Sequence, residues 1–193
     1  MTIYIDVQHM GDPIKKGRMG AAFGDQINQT EAYYTSLYAF WMGMRLRELG
    51  HEVINMSDGT YKARHARVNA YEERNEGGAP SVYIACHLNA GGGSYCAMFY
   101  DYQSINGRAL SKSINAKIEE RTDITTAKAI PSNNEDWTKN AYYCIKGVGR
   151  PIAICAEPLF IDNRNHQRLL NVEGMQAIGY AMADGIHEFL EGV

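Results

Sequence analysis

The sequence predicts an α/β protein: one mostly parallel, twisted sheet of about six strands with helices on both faces. Three observations carry that expectation. Short runs rich in β-branched and aromatic residues alternate with longer stretches whose apolar residues recur every three or four positions. The runs at 82–86 and 151–156 are almost wholly apolar, as central strands covered on both faces must be. No repeat, linker or low-complexity tract divides the 193 residues, so residues 1–193 are expected to form a single domain.

Each element follows from its local pattern. Ile3-Tyr4-Ile5-Asp6-Val7 reads as the first strand. Residues 10–28 carry Gly11, Pro13, Gly17, Gly20 and Gly24 and read as a long loop, which in a compact domain is usually functional. From Thr30 the period changes: Tyr34, Leu37, Tyr38, Trp41, Met44 and Leu49 share one helical face. Asn28 or Thr30 can cap that helix, and Gly50 ends it. Residues 51–56 give a second strand and residues 62–75 a polar helix, broken by Gly77-Gly78-Ala79-Pro80. The strand at 82–86 follows, then another at 97–100, then a helix marked by Leu110, Ile114 and Ile118. Residues 124–149 carry no clear period; Pro131, Asn133 and Asn134 suggest loop, and residues 142–145 fit helix or strand. The run at 151–156 is a buried strand, and Met175, Ile178, Met182, Ile186 and Phe189 draw a last amphipathic helix.

Composition excludes several classes. With 45% apolar and 21% charged residues the chain is neither disordered nor fibrous. A formal net charge of -3, with Lys and Arg scattered, offers no basic stripe for nucleic acid. No apolar run approaches the roughly 20 residues that span a bilayer, and Met1-Thr2-Ile3-Tyr4 lacks a secretory signal. Synthesis in the cytoplasm, no membrane insertion and a monomeric state are expected. Cys86, Cys96, Cys144 and Cys155 show no paired spacing and read as free thiols; a zinc site built on Cys96 and Cys144 is disfavoured.

Polar residues that close hydrophobic runs require a reason. In open α/β sheets, sites form beyond the carboxyl ends of the strands. His9, His87 and Glu157 each follow a predicted strand at that edge, and Glu31 lies in the first turn of the helix after the Gly-rich loop. Taken singly, each has a plain structural explanation; Glu31, for instance, complements a helix dipole. Together, two imidazoles and a carboxylate with an open fourth position form the pattern of catalytic rather than structural zinc. His9, Glu31 and His87 are the candidate Zn2+ ligands. Glu157 is left to move protons between water and a leaving group. Asp6 suits a supporting contact to His9. Trp137, Tyr142 and Tyr143 fit a groove border, core packing explains the two tyrosines equally well, and His51, His65, His166 and His187 fit surface or capping roles.

These residues resemble the zinc-dependent N-acetylmuramoyl-L-alanine amidases (amidase type 3) of bacterial wall hydrolases and phage endolysins. The family's Asp-x-Gly-His-Gly is matched by Asp6-Val7-Gln8-His9-Met10-Gly11, and its helix-start Glu by Glu31 in Gln29-Thr30-Glu31-Ala32. Its Ser-Ile-His-x-Asn-Ala is matched by Ala85-Cys86-His87-Leu88-Asn89-Ala90, and its catalytic Glu by Glu157 in Cys155-Ala156-Glu157-Pro158-Leu159-Phe160. Arg67 is similar to an arginine that often precedes the family's central strand, and Asn89 follows its second His. Gln8, Met10, Pro158 and Leu159 depart from the family's glycine-containing pattern. The resemblance implies a peptidoglycan hydrolase, endolysin-like, that acts on the wall after release. It cleaves the amide between N-acetylmuramic acid and L-alanine with zinc-activated water, and Asn89 and Arg67 contact substrate or support the site. The alternatives are a zinc peptidase or deacylase on the same scaffold, and an inactive wall-binding module.

Overall fold

The computed structural model describes residues 1–7, 31–75, 78–133 and 142–192. The expectations for Gln8, His9, Met10, the Gly-rich loop with its caps Asn28 and Thr30, and Trp137 lie outside them. Along the chain run β1 (Thr2–Val7), α1 (Glu31–Glu48), β2 (Glu52–Asn55), α2 (Tyr61–Arg74), β3 (Val82–Cys86), β4 (Cys96–Asp101), α3 (Ile105–Arg121), β5 (Ala127–Ser132), α4 (Tyr143–Lys146), β6 (Ile152–Glu157), α5 (Arg164–Gln167) and α6 (Val172–Glu191). They build a six-stranded sheet ordered β2-β1-β3-β6-β4-β5. The α/β fold is the one the periodicity predicted.

Four of the strand pairings are parallel, and β4 runs antiparallel to β6. The exception has a physical cause. Residues 87–95, between β3 and β4, contain no helix to carry the chain back across the sheet, and a parallel return needs a crossover of a dozen residues or more. The strand β5, unassigned from sequence, lies at the sheet edge. There Pro131 loses no ladder bond the fold requires, and half-buried side chains blur the alternation.

Each strand sends alternate residues to opposite faces. On one face Ile3, Ile5, Ile84, Met98 and Ile154 pack beneath α1, α3 and α6 through Tyr38, Met42, Leu110, Ile114, Ile178 and Met182. Small residues let these helices touch. A Cβ on Gly179 would come within 2.5 Å of the Tyr38 carbonyl oxygen, and one on Gly185 within 2.6 Å of Ile114 Cα. On the other face Tyr4, Tyr83, Ala85, Phe99 and Cys155 meet Val68 of α2 and Cys144 and Ile145 of α4. Among the described residues no helix is long and apolar enough to cross a membrane.

Candidate active site and metal centre

The chain places β2 on one side of β1 and β3 on the other, so the carboxyl ends of β1 and β3 flank the point where the winding reverses. His87 is the first residue past β3. Its N–H donates to the Ala156 carbonyl at 2.9 Å, extending the β3–β6 ladder by one step and setting His87 beside Glu157. The Tyr38 hydroxyl donates to the His87 carbonyl at 3.0 Å and ties this corner to α1. Because side chains alternate, Cys155 and Glu157 share the sheet face that carries Asp6, Tyr83 and Ala85.

Glu31 opens α1 and is 8% exposed. Its Oε1 accepts the Leu88 N–H at 3.0 Å and lies 3.1 Å from His87 Nδ1. The backbone bond aims the carboxylate, and the helix start favours its charge. Two ligand atoms on one tetrahedral zinc, with bonds of 2.0–2.1 Å, sit about 3.3 Å apart. The Glu31–His87 spacing therefore fits a shared divalent cation. His9, the third expected ligand, lies outside the described residues.

The three ionisable neighbours shift one another. Burial pushes the Glu157 carboxyl up to about 7; the His87 charge opposes this, while Cys144 and Glu31 add to it and a Tyr142 hydrogen bond lowers it. Burial by itself lowers the His87 imidazolium, but the Cys144 thiol and the Glu31 carboxylate outweigh it and raise the imidazole well above its ordinary value. Burial pushes the Cys144 thiol up, and bonds from Cys155 and His87 reverse the direction and bring it down. A carboxyl held near neutrality can exchange protons at the pH of a cell.

Other expected residues sit as follows. Asp6, fully buried, accepts the Arg64 Nε–H at 2.9 Å and the Tyr83 hydroxyl. Arg64 is thus the arginine held against the β1 end of the site. Arg67, one turn further along α2, donates to the Asp58 carbonyl at 2.5 Å and clasps the β2–α2 loop. Asn89 Oδ1 accepts the Ala90 N–H at 2.8 Å, while its backbone pairs with Leu159 and Ile161, stitching the His87 loop to the Glu157 loop. Leu159, where the family pattern has glycine, is fully buried in the aliphatic core.

Some residues carry more than their sequence context suggested. Tyr142 stacks on Phe99 with ring centres 4.1 Å apart and reaches Glu157. Tyr143, by contrast, is exposed. His51, His65 and His166 are buried rather than superficial. His65 Nε2 bonds the Cys144 carbonyl at 3.0 Å, and His166 Nδ1 accepts the Phe160 N–H at 2.8 Å, holding the turn after Glu157. Polar flanking sequence had disguised His65 and His166, and the helix-to-strand turn had disguised His51. The partner of Cys144 is Cys155, not Cys96, whose thiol contacts Asn115 at 3.6 Å.

Fold and site together define an open-sheet α/β protein with a cluster of buried titratable groups at the strands' carboxyl edge. Residues 3–188 match the family model for N-acetylmuramoyl-L-alanine amidase (Amidase_3), and the chain belongs to that family. It is a peptidoglycan amidase. No curated protein matches the chain. Solved structures do. The CwlD amidase of Clostridioides difficile, in complex with the GerS lipoprotein, is 20% identical, with 100% of this chain and 99% of that one covered and a TM-score of 0.72. The Ami1 amidase of Mycobacterium smegmatis is 16% identical over 100% and 98% of the two chains, with a TM-score of 0.75. The catalytic domain of an endolysin targeting Clostridia difficile is 19% identical over 96% of each, at a TM-score of 0.59. These likenesses concern the fold.

Proposed function

We propose that residues 1–193 form one catalytic domain that cleaves the amide between N-acetylmuramic acid and L-alanine with the help of Zn2+ held by His9, Glu31 and His87. The observation that carries this reading is the 3.1 Å approach of Glu31 to His87 at the corner where Glu157 is buried. When bound, the ion would supply a Lewis acid and a water acidic enough to yield hydroxide near neutral pH. The rest falls to the chain's own groups. Glu31 and His87 are pre-aimed by the Leu88 N–H and by Tyr38, so little reorganisation is needed on loading. Glu157 takes the proton of the attacking water and returns it to the departing L-alanine nitrogen. Tyr142 holds the Glu157 carboxyl in place. The substrate lies in the wall, so the chain works there after release from the cytoplasm.

The test is a digest of purified peptidoglycan with the zinc-loaded chain. New amino termini should be L-alanine; termini of any other residue would point to a peptidase instead. Glu157→Gln should lose about 10²–10⁴ of the rate, the usual worth of a positioned acid–base group, while retaining one zinc by metal analysis. Near-normal turnover in that variant would remove Glu157 from the reaction.

A further inference from the structure

We infer that His87, Cys144 and Cys155 form a second cation site, selective for a thiophilic ion such as Cd2+, Cu+ or excess Zn2+. The site stands on its own geometry. Its consequence, competition with the hydrolytic ion for His87, rests on the ligand role proposed above.

Three separate elements bring the ligands together. His87 follows β3, Cys155 lies within β6 two residues before Glu157, and Cys144 hangs from the short helix α4. One ligand atom from each lies within 4.8 Å of the other two. Around one tetrahedral ion, with sulfur at 2.3 Å and nitrogen at 2.0–2.1 Å, such atoms are about 3.5–3.8 Å apart. A contraction of about an ångström closes the site.

Charge and surroundings favour a soft ion there. Binding releases two thiol protons to solvent, and two thiolates with one neutral imidazole leave a divalent cation with no net charge. Tyr83, Ala85 and Phe99, which surround the thiols, can accommodate a neutral centre. The set formed by His9, Glu31 and His87 would carry a net positive charge on the same ion. Sulfur ligands prefer Cd2+, Cu+ and Zn2+ to harder cations. Three protein ligands leave a fourth position, reached past His87, whose side chain is 12% accessible.

Only one of the two sites can hold an ion at a time. A neutral imidazole presents one lone pair, whichever nitrogen carries the proton. A thiophilic ion on Cys144 and Cys155 therefore withdraws His87 from Glu31 and stops hydrolysis without touching Glu157.

The experiment adds Cd2+ to the reduced, zinc-loaded full chain and follows sulfur-to-metal charge-transfer absorption, with released zinc read by a chromogenic chelator. The expected result is a band that saturates at one equivalent of Cd2+ while one equivalent of zinc is released. Cys144→Ala and Cys155→Ala should each weaken Cd2+ binding by at least ~100-fold, beyond what loss of an outer contact costs. Cys96→Ala and Glu31→Gln should keep the band. Should the cysteine variants fail to fold, X-ray absorption on the unmodified chain with one equivalent of Cd2+ should count two sulfur neighbours. A band absent from the wild type, unchanged in Cys155→Ala, or accompanied by fewer than two sulfurs would overturn the site. A sulfur band in a chain that released no zinc and never hydrolysed peptidoglycan would keep the thiol site and sink the zinc-amidase reading instead.

Discussion

The two faces of the sheet do different work. The face under α1, α3 and α6 is aliphatic and close-packed, with Ile3, Ile84, Met98, Ile114, Ile154 and Ile178 all fully buried. The face under α2 and α4 is built from tyrosines, thiols and paired charges: Tyr4 on Glu72, Tyr83 and Arg64 on Asp6, His65 on the Cys144 carbonyl. Every residue assigned to chemistry on the strands themselves, Glu157 above all, projects on the second side. A close-packed hydrocarbon layer supplies stability without specifying polar geometry. A layer of hydrogen-bonded groups holds titratable side chains in fixed places, at the risk that any lost partner leaves a buried charge alone.

That contrast can be broken in order of effect. Removing Arg64 (Arg64→Ala) should destabilise the chain by about 3–5 kcal/mol, because Asp6 then loses its buried counter-charge; urea unfolding measures this, and a loss below about 1 kcal/mol would mean the ion pair is dispensable. On the aliphatic face, Ile114→Ala should cost about 3 kcal/mol through an unfilled cavity, while kcat on peptidoglycan stays within twofold once the folded fraction is corrected. A large fall in kcat would show that the two faces are not separable.

The third prediction concerns pH. In the folded, metal-free chain Glu157 keeps its proton up to about 7, whereas the unfolded chain releases it near 4.5. Between those values the folded state binds more protons, so stability should fall as pH rises through the window, by about 3 kcal/mol from this group. Glu157→Gln should flatten that slope; an unchanged slope would locate it in another group. Smallest is Tyr4→Phe, expected to cost about 1–2 kcal/mol, since Glu72 loses the 2.6 Å bond from the Tyr4 hydroxyl.

Much of this was legible along the chain. The parallel centre of the sheet was visible because Val82–Cys86 and residues 151–156 are unbroken apolar runs. The candidate site was visible because His87 and Glu157 each close such a run, where a polar side chain has no core to join. Glu31 and His87 do meet, across a sequence separation of 56 positions. Less could be anticipated where pattern and surroundings disagree. The strand β5 was hidden by Lys128 and Pro131, which only an edge position tolerates. His65 and His166 looked superficial because their neighbours in sequence are polar, while their neighbours in space are not.

The amino-acid order alone determined the periods, and with them which residues turn inward, which strands are central and where polar groups stand at strand ends. Those are local properties, set within a few residues by backbone geometry and side-chain type. Only the tertiary structure decided that β4 runs against β6, that Arg64 faces Asp6, and that Cys144 meets Cys155 and His87. Such pairings depend on how helices are laid over the sheet, and sequence separation carries no information about which side chains that packing brings within bonding distance.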